Sequence, residues 1–527
     1  MGQINLTATE INRRLTEQLP PLTYENKTLS PIADLFLGAS QKVSESAMCN
    51  ALTTWLEANA TTTTGAFTSV RYVDPVNGSD SNNGRSPLSP IKTLSAAPAA
   101  NQAFAIKGGT TLAYTTSMLP GAGCLLVGYD TDEAGQPVIT GESITTTGDK
   151  NRTIRIQNAN VILANLAIKG PIGDGSSGNN VIQCGTGGSG LTLLGNTIYA
   201  NPGAETIGLA TNNNFDFLIE HNHFKTTWGI GLGVPSGLTK PQYIRFNKFE
   251  SDITGTTNWC FDNGDAITLG DPAGDWQGWL RIMYNEFISW NENAIDCNKA
   301  SGAFIGYNSF NQLNKVQLQA SIGILMGSST ISATKNIVIG NYFHDFVGAG
   351  VYTRGCNNGI IAGNIFARLH QGIASNITGT VYNRIYNNTL YDLYDQTSYW
   401  TSGQIISPYT TSPGSHYGIR VENDVDYTEV YNNIIHMRNS GEHINNMGGA
   451  NCKFGANVYA GSVYPNKTDM TNRLVAPDLY VQDVSKLLDI TTYKPTKLTA
   501  RHRAIPTPVF DSILGTYIPR CAGAVQF

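Results

Sequence analysis

Four carboxylic acids lie in two short segments where they could perform acid–base chemistry. Asp262 and Asp265 belong to CFDNGDAI, and Glu292 and Asp296 belong to NENAIDCN. Hydrolysis of a glycosidic bond uses two carboxyl groups, one protonated and one ionised. The four residues are therefore candidate catalytic groups. Asp beside Asn-Gly also commonly caps a turn, so the elements that hold these residues must be identified.

A short sequence pattern recurs along most of the chain. It consists of an apolar residue, two further residues, Asn, any residue and a large apolar residue. The Asn positions are Asn165, Asn196, Asn222, Asn247, Asn285, Asn308, Asn341, Asn364, Asn388 and Asn433. The smallest spacing, from Asn285 to Asn308, is 23 residues, which we interpret as the bare repeat. Longer spacings are then the same unit with an inserted loop.

A second short alternating element lies between the Asn positions. Its copies are TIGLA (206–210), GIGLG (229–233), AITLG (266–270), AIDCN (294–298), SIGIL (321–325), GVYTR (350–354), GIASN (372–376) and GIRVE (418–422). A unit of this length made only of strands must stack on its neighbours to bury its apolar face. We therefore predict an all-β, right-handed parallel β-helix with rungs of about 23 residues and loop insertions. The Asn side chains should form a ladder between coils.

The beginning of the chain lacks the repeat. Seven apolar residues recur there at helical spacing: Val43, Ala47, Met48, Ala51, Leu52, Trp55 and Leu56. This pattern predicts one amphipathic helix at about 41–58. ATTTTGAF then reads as a linker, so residues 1–66 form a separate, small helical segment.

Composition excludes several classes of function. The net charge of −5 argues against a nucleic-acid-binding surface, and no stretch is apolar enough to span a membrane. The eight cysteines include no CxxC pair, so we expect buried thiols and neither a metal nor a cofactor. The acidic and amide residues of the segment 74–83 could suggest calcium, but such residues in Gly-rich turns usually cap the backbone.

Two segments carry a family resemblance. RYVDPVNGSDSNNGRSPLSPIKTLSAA (71–97) resembles the first segment of pectate-lyase-like β-helix proteins, and YKPT with FDSILGTYIPRCAGAVQF resembles their end. A polar leader, a small helix and a β-helix without a signal peptide are similar to a bacteriophage tailspike. The resemblance implies a homotrimer that binds or cleaves a bacterial capsular or O-antigen polysaccharide. It also implies a virion protein, made in the host cytoplasm.

The resemblance also implies a division of the chain. Residues 1–66 would attach to a phage tail or baseplate protein, 67–150 would begin and cap the helix, 151–450 would carry the groove, and 451–527 would close it. Outward positions before each Asn form an apolar stripe that we assign to the trimer axis, with cover by long inserted loops as the alternative. Its members are Leu194, Leu218, Tyr243, Met283, Phe304, Ile337, Ile339, Ile360 and Ala362.

The second strand of each coil presents a different, polar column. Its predicted members are Thr268, Asp296, Gly323, Tyr352, Ala374 and Arg420, followed two residues later by Asn298, Arg354, Asn376 and Glu422. Inserted loops nearby carry the aromatic residues Trp259 and Trp400. We predict substrate binding by Trp259, Asn298, Tyr352, Arg354, Trp400, Arg420 and Glu422.

Hydrolysis is the favoured chemistry, with two alternatives. A lyase would neutralise a uronate carboxylate and use a base, for which Tyr352, Arg354, His344 and Arg420 are candidates. A receptor-binding spike without catalysis is the second alternative.

Overall fold

A computed structural model gives the architecture of the chain. It describes residues 45–59, 67–132, 134–144, 151–171, 179–199, 206–211, 216–226, 228–233, 241–250, 265–269, 274–276, 279–290, 292–297, 300–311, 321–327, 333–345, 348–376, 380–393, 416–422, 425–438, 441–446, 448–449, 451–461, 474–476 and 479–481. These residues fall into two compact units: an N-terminal unit within residues 25–291 and a C-terminal unit within residues 292–527.

In the N-terminal unit the chain visits three parallel sheets in turn, here called A, B and C. Sheet A contains Ser69–Val73, Gln102–Lys107, Leu125–Tyr129, Ile162–Ala164, Thr192–Leu194, Leu218–Glu220, Gln242–Arg245 and Leu280–Met283. Sheet B contains Thr111–Ala113, Val138–Thr140, Ala167–Lys169, Thr197–Tyr199, His223–Lys225, Lys248–Glu250 and Glu286–Ser289. Sheet C contains Arg152–Ile156, Asn179–Cys184, Thr206–Thr211, Trp228–Leu232 and Ile267–Leu269; Gly274–Asp275 is a further short strand.

The C-terminal unit follows the same order of sheets. Sheet A contains Phe304–Gly306, Ile337–Ile339, Ile360–Ala362, Arg384–Tyr386, Glu429–Tyr431, Lys453–Gly455 and Leu474–Ala476. Sheet B contains Ser309–Phe310, Tyr342–His344, Ile365–Ala367, Thr389–Leu393, Ile434–Met437, Val458–Gly461 and Leu479–Val481. Sheet C contains Asn293–Cys297, Ser321–Met326, Gly348–Arg354, Gln371–Asn376, Tyr417–Val421 and Glu442–Asn446; shorter strands are Ala300–Ser301, Ala333–Thr334 and Cys356–Asn357.

This topology confirms the prediction of an all-β parallel β-helix. The predicted second element forms sheet C in both units, and the repeated Asn lies at the corner between sheets A and B. The predicted right hand of the helix and its bare rung length stay predictions.

The Asn ladder is present in both units. At Asn364, the backbone N–H and Nδ2 both donate to Oδ1 of Asn388 at 3.0 Å, and Nδ2 also donates to the carbonyl of Val338 at 3.0 Å. Its own Oδ1 accepts from the backbone N–H and Nδ2 of Asn341. Each amide thus satisfies backbone groups that would otherwise be buried without partners.

One predicted member of the ladder is wrong. Sheet A pairs Leu194 with Ala164, so Asn165 is level with Gly195 rather than with Asn196. The ladder position in this coil is Leu166, whose N–H donates to Oδ1 of Asn196. Asn165 instead occupies the preceding corner position, where its φ of 51° is one that Asn tolerates.

The interior explains why sheet C strands contain glycine. A Cβ atom on Gly350 would lie 2.4 Å from Cδ1 of Phe366, and one on Gly323 would lie 2.8 Å from Cδ1 of Phe343. Phe343 and Phe366 stack with ring centroids 4.8 Å apart. The repeated glycine therefore leaves room for the aromatic side chains of sheet B that point into the interior of the coil.

The predicted helix forms as α1 (Glu45–Asn59). Met48, Cys49 and Leu52 of this helix are buried in one apolar cluster with outward side chains of sheet A that include Leu194 and Leu218. In the N-terminal unit, part of the predicted apolar stripe is therefore covered by α1. Met283 and Tyr243 are half-buried there, as are Ile337 and Ile360 in the C-terminal unit.

The first turns of the helix are held by aspartate caps. Oδ1 of Asp74 accepts the N–H groups of Val76 and Asn77, and Oδ1 of Asp80 accepts those of Lys92 and Thr93. These contacts support the capping interpretation of this acidic segment.

The remaining general features concern cysteines and membrane spans. The cysteines in the described ranges, Cys49, Cys124, Cys184, Cys297, Cys356 and Cys452, are buried, while Cys260 and Cys521 lie outside those ranges. Burial raises the pKa of the Cys124 and Cys356 thiols to about 12. No helix in the described part of the chain is long and apolar enough to cross a membrane.

Candidate functional site

The four predicted catalytic carboxyl groups are distributed over both units. Asp262 lies outside the described residues, and Asp265 lies in the N-terminal unit. Glu292 and Asp296 lie in the C-terminal unit, Glu292 half-buried just before a sheet C strand and Asp296 within it. Asp265 is 5% exposed and Asp296 is 8% exposed.

A hydrogen-bonded chain orients Asp265. The indole Nε1 of Trp228 donates to Oγ1 of Thr268 at 2.8 Å, and that hydroxyl donates to Oδ2 of Asp265 at 2.9 Å. The backbone carbonyl of Asp265 accepts the N–H of Gly229. Sequence reasoning included Thr268 but missed Trp228, which a search for aromatic residues at strand starts would have found.

The polar column of sheet C in the C-terminal unit differs in one place from its prediction. Sheet pairing aligns Asp296, Leu325, Tyr352, Ala374, Arg420 and Asn445, so Gly323 is not a member. The buried Leu325 therefore separates Asp296 from Tyr352 by two coils, about 10 Å at the usual strand spacing. The other predicted members of the described column are confirmed in their positions.

Tyr352 stands at the centre of a local polar cluster. Nδ2 of Asn376, one coil further on, donates to the Tyr352 hydroxyl at 2.6 Å. The intervening column residue is Ala374, whose small side chain leaves space for this contact. Pairing of Arg354 with Asn376 places the Arg354 side chain beside the same group.

Arg420 and Glu422 complete the cluster. Nη2 of Arg420 lies 2.8 Å from Oε1 of Glu422, and the guanidinium carbon lies 5.1 Å from the ring centroid of Tyr417. Arg354, by contrast, makes no ion pair with any residue in the part of the chain that the structure describes. In this cluster the charge of Arg420 is therefore balanced by Glu422, whereas Arg354 has no carboxylate partner among the described residues.

The environment keeps Tyr352 protonated. Burial raises the pKa of its phenol, and the nearby Glu422 carboxylate raises it further. The hydrogen bond from Asn376 and the charges of Arg354 and Arg420 lower the pKa, but the net shift is upward. At neutral pH the phenol is a hydrogen-bond donor, suited to giving rather than taking a proton.

His344 does not belong to this cluster. It lies in sheet B, where its Nδ1 is 2.7 Å from Oδ2 of Asp345. Burial alone would raise the pKa of Asp345, but hydrogen bonds from Arg368 and His344 hold it well below its usual value. His344 therefore lies on a different sheet from Tyr352, and its candidacy as the base of a lyase stays a prediction.

Several predicted binding residues fall outside the described residues: Trp259, Asn298 and Trp400. The prediction for these three stands as it was. Tyr417, Glu442 and Asn445 flank Arg420 on the same surface; Nδ2 of Asn445 donates to Oε2 of Glu442. Within the described ranges, no three His, Cys, Asp or Glu side chains are grouped so that they could hold a metal ion.

The chain passes through three parallel sheets in turn, which defines a parallel β-helix protein. This is the fold predicted from the repeat, and it agrees with the resemblance to pectate-lyase-like proteins and tailspikes. No protein-family model matches the sequence, and the search of curated proteins found no match.

Solved structures that resemble the chain include a tailspike protein and two lyases. The Dettilon tailspike protein has 12% identity and a TM-score of 0.44, over 67% of this chain and 62% of that one. The PL6 family alginate lyase AlyGC has 13% identity and a TM-score of 0.45, over 76% and 53%. The pectate lyase Pel9A has 13% identity and a TM-score of 0.36, over 87% and 96%. The chain thus spans less than two thirds of the first two proteins.

Proposed function

We propose that this protein binds and cleaves an acidic bacterial surface polysaccharide, as a phage tailspike does, and that it binds the glycan on the outward face of sheet C in its C-terminal unit. The observation that carries the proposal is the cluster formed by Tyr352, Arg354, Asn376, Arg420 and Glu422. The cluster lies on the outward face of sheet C, whereas the inward side chains of the same strands are apolar or small.

The charges of the cluster favour an anionic sugar. A guanidinium group binds a carboxylate through two parallel hydrogen bonds, which gives both energy and orientation. Arg354 is available for this role, because no described residue forms an ion pair with it. Tyr352 and Asn376 would then bind neighbouring hydroxyl groups, and Tyr417 would offer an aromatic surface.

For the cleavage step we propose hydrolysis by carboxyl groups, with Asp262, Asp265, Glu292 and Asp296 as the candidates. Asp265 and Asp296 are both largely buried, and hydrolysis of a glycosidic bond uses two carboxyl groups. Trp228 and Thr268 would hold Asp265 in a fixed orientation.

A second candidate reaction is β-elimination. It is favoured by the position of Tyr352 beside Arg354 and Arg420, because elimination next to a uronate needs its carboxylate neutralised. The protonated phenol of Tyr352 would donate its proton to the leaving glycosidic oxygen. The proton removed from the sugar would need another acceptor, for which Glu422 is the nearest carboxylate in the cluster.

The proposal extends to the assembly. Residues 1–66 would attach the protein to a phage tail or baseplate, and three chains would associate through the apolar stripe of sheet A. In the C-terminal unit, the half-buried Ile337 and Ile360 support a partner surface at this stripe. Sedimentation of the purified protein tests the homotrimer directly.

Product analysis tests the reaction. Purified capsular and O-antigen polysaccharides are incubated with the protein, and reducing ends and ultraviolet absorbance are followed together. New reducing ends without absorbance indicate hydrolysis, and absorbance from an unsaturated uronate indicates elimination. Binding without either product would contradict an enzymatic role. The Arg354→Gln variant should lose binding of acidic polysaccharides, with Arg85→Gln, an exposed arginine of the N-terminal unit, as control.

A further inference from the structure

A seven-residue motif occurs twice in neighbouring coils of the C-terminal unit. The two copies are YNRIYNN (382–388) and YTEVYNN (427–433). Sheet A pairs Arg384 with Glu429 and Tyr386 with Tyr431, so the copies lie in register. The last Asn of each copy belongs to the buried ladder. The tyrosines have no role in the ladder or in the proposed cleavage site.

The repeated tyrosines form two stacked pairs on the outside of the coil. Tyr382 and Tyr427 have ring centroids 4.8 Å apart at an interplanar angle of 19°, and Tyr386 and Tyr431 have centroids 5.6 Å apart at 6°. The second pair is buried, whereas Tyr382 is 50% exposed and Tyr427 is 44% exposed. The outer pair thus presents two aromatic side chains to solvent.

The outer pair is held in a strained backbone conformation. Tyr382 has a φ of 58° and Tyr427 a φ of 52°, in the left-handed region that costs a bulky residue of the order of 1–2 kcal/mol. The same corner in the preceding coil is occupied by Asn358 with a φ of 56°, and Asn tolerates this region well. Bulky residues adopt this conformation at other corners too, among them Phe246, Tyr284 and Lys335, so the strain is a cost that Asn at this corner avoids, and the exposure of the two rings carries the argument.

Polar groups surround the two rings with nearly balanced charge. Arg384 is 47% exposed and lies 3.8 Å from Oε2 of Glu429, which also accepts the hydroxyl of Tyr386. Asn358 is exposed beside Tyr382 at the preceding corner. Oδ1 of Asp426 accepts the N–H of Tyr427, and the exposed Lys453 is level with Glu429, so two carboxylates and two cations border the rings. Aromatic surface bordered by donors and acceptors, without an excess of one charge, suits a neutral sugar, whose apolar ring face and hydroxyl groups both find partners.

We propose that Tyr382 and Tyr427 form a second carbohydrate-binding site, which takes a neutral hexose segment of a polysaccharide. The two half-exposed rings offer on the order of 200 Å². A stable protein partner would need roughly 800 Å² on each side, so a sugar matches the surface better. The corner follows the sheet C strands that end at Asn376 and Val421, so a long glycan could contact both surfaces. The site does not depend on which reaction, if any, the sheet C cluster performs.

The test replaces the two tyrosines by the residue that the chain itself uses at this corner. The double variant Tyr382→Asn, Tyr427→Asn is compared with wild type on an array of neutral bacterial polysaccharides, and both are melted thermally. We expect binding to weaken by about tenfold or more, which corresponds to about 1.4 kcal/mol. The melting temperature should stay equal or rise, because Asn relieves the backbone strain. Lys335→Asn, an exposed position with a φ of 59° at the same corner two coils earlier, is the matched control.

The other outcomes overturn the proposal. Unchanged retention of the double variant, or no neutral polysaccharide bound by wild type, excludes the site. A lowered melting temperature together with weakened binding means that the stack is structural. Altered sedimentation with unchanged glycan retention means that the tyrosines belong to an interface between copies. Repeating the assay with Arg354→Gln separates this site from the sheet C cluster, since neutral binding at the tyrosines should not change.

Discussion

Within the C-terminal unit, the corner between sheets A and B repeats the same residue from coil to coil, whereas the outward face of sheet C varies. At the corner the same amide recurs at Asn341, Asn364 and Asn388, with the same bonds in each coil. On sheet C the level positions Tyr352, Ala374 and Arg420 differ in size, charge and chemistry. The repeated Asn supplies hydrogen bonds to buried backbone groups, which every coil needs. The varied residues of sheet C meet no such shared need, so their chemistry suggests a ligand.

The largest expected effect would establish which candidate carboxyl groups are catalytic, Asp296 on the varied face of the C-terminal unit or Asp265 in the N-terminal unit. Asp265→Asn and Asp296→Asn should each reduce the cleavage rate by about 10²- to 10⁴-fold, because an amide cannot serve as general acid or base. In the Asp265→Asn variant, the amide oxygen of the new side chain could still accept from Thr268, so folding should be retained. Initial rates of reducing-end release provide the measurement.

Asp130→Asn is the matched control for these variants, because Asp130 is an exposed carboxylate with a φ of 55° that Asn also tolerates. Its rate should equal that of wild type. Near wild-type turnover by both catalytic variants would move the search to Asp262, Glu292 and the Tyr352 cluster.

A pH experiment examines a position where the interior of the C-terminal unit departs from the glycine of the preceding coil. His443 stands one residue before Ile444, where the preceding coil has Gly418, and its Nε2 is 2.9 Å from the carbonyl of Ala460. Burial lowers the pKa of His443 from 6.5 to about 4. As pH falls between these values the unfolded chain binds a proton that the folded chain does not. Stability should therefore decrease by about 3 kcal/mol from pH 7 to pH 4.

Urea denaturation across this pH range measures the effect, with His443→Gln as the comparison. Glutamine can still donate to Ala460 but has no proton to gain, so the variant should lose less stability on acidification. Other acid-labile groups, such as Asp345, contribute equally to both proteins and cancel in the difference. Parallel pH profiles for the two proteins would show that His443 is not the titrating group.

The same contrast explains how much the sequence could predict. The fold was predictable because every coil repeats its Asn and its short apolar strands. A misassignment in one coil therefore leaves the overall pattern recognisable from the other coils. The two errors arise where the sequence pattern is displaced by one or two residues from the strand register. In ILANLAI the Asn lies one position before the ladder position. In SIGIL the residue level with Tyr352 is Leu325, not Gly323. A site made of unlike residues has no such redundancy. The contact between Asn376 and Tyr352 depends on the small Ala374 between them and becomes visible only in three dimensions.

The next effect in size concerns recognition. Arg354→Gln should weaken binding of an acidic polysaccharide by roughly tenfold to a hundredfold, because a hydrogen bond to a charged group contributes about 1.5–3 kcal/mol. Equilibrium binding at low and moderate salt gives the measurement, and the wild-type affinity should decrease as salt rises. Equal affinity of Arg354→Gln and wild type for every acidic glycan tested would remove the anionic substrate from the proposal.

The smallest effect, and the one confined to the repeated corner, concerns the Asn ladder. Asn364→Ala removes the amide that accepts from Asn341 and donates to Val338, and it leaves buried N–H groups without acceptors. An unsatisfied buried polar group costs about 1–3 kcal/mol, so the free energy of unfolding should fall by that amount or somewhat more. The cleavage products and the affinity for glycan should not change, since the side chain is fully buried. Asn50→Ala provides the control, because this Asn is exposed in α1, where Ala is a good helix former, so the free energy of unfolding should not fall. If Asn364→Ala were as stable as wild type, or if it altered the products, the division between a repeated structural corner and a varied functional face would not hold.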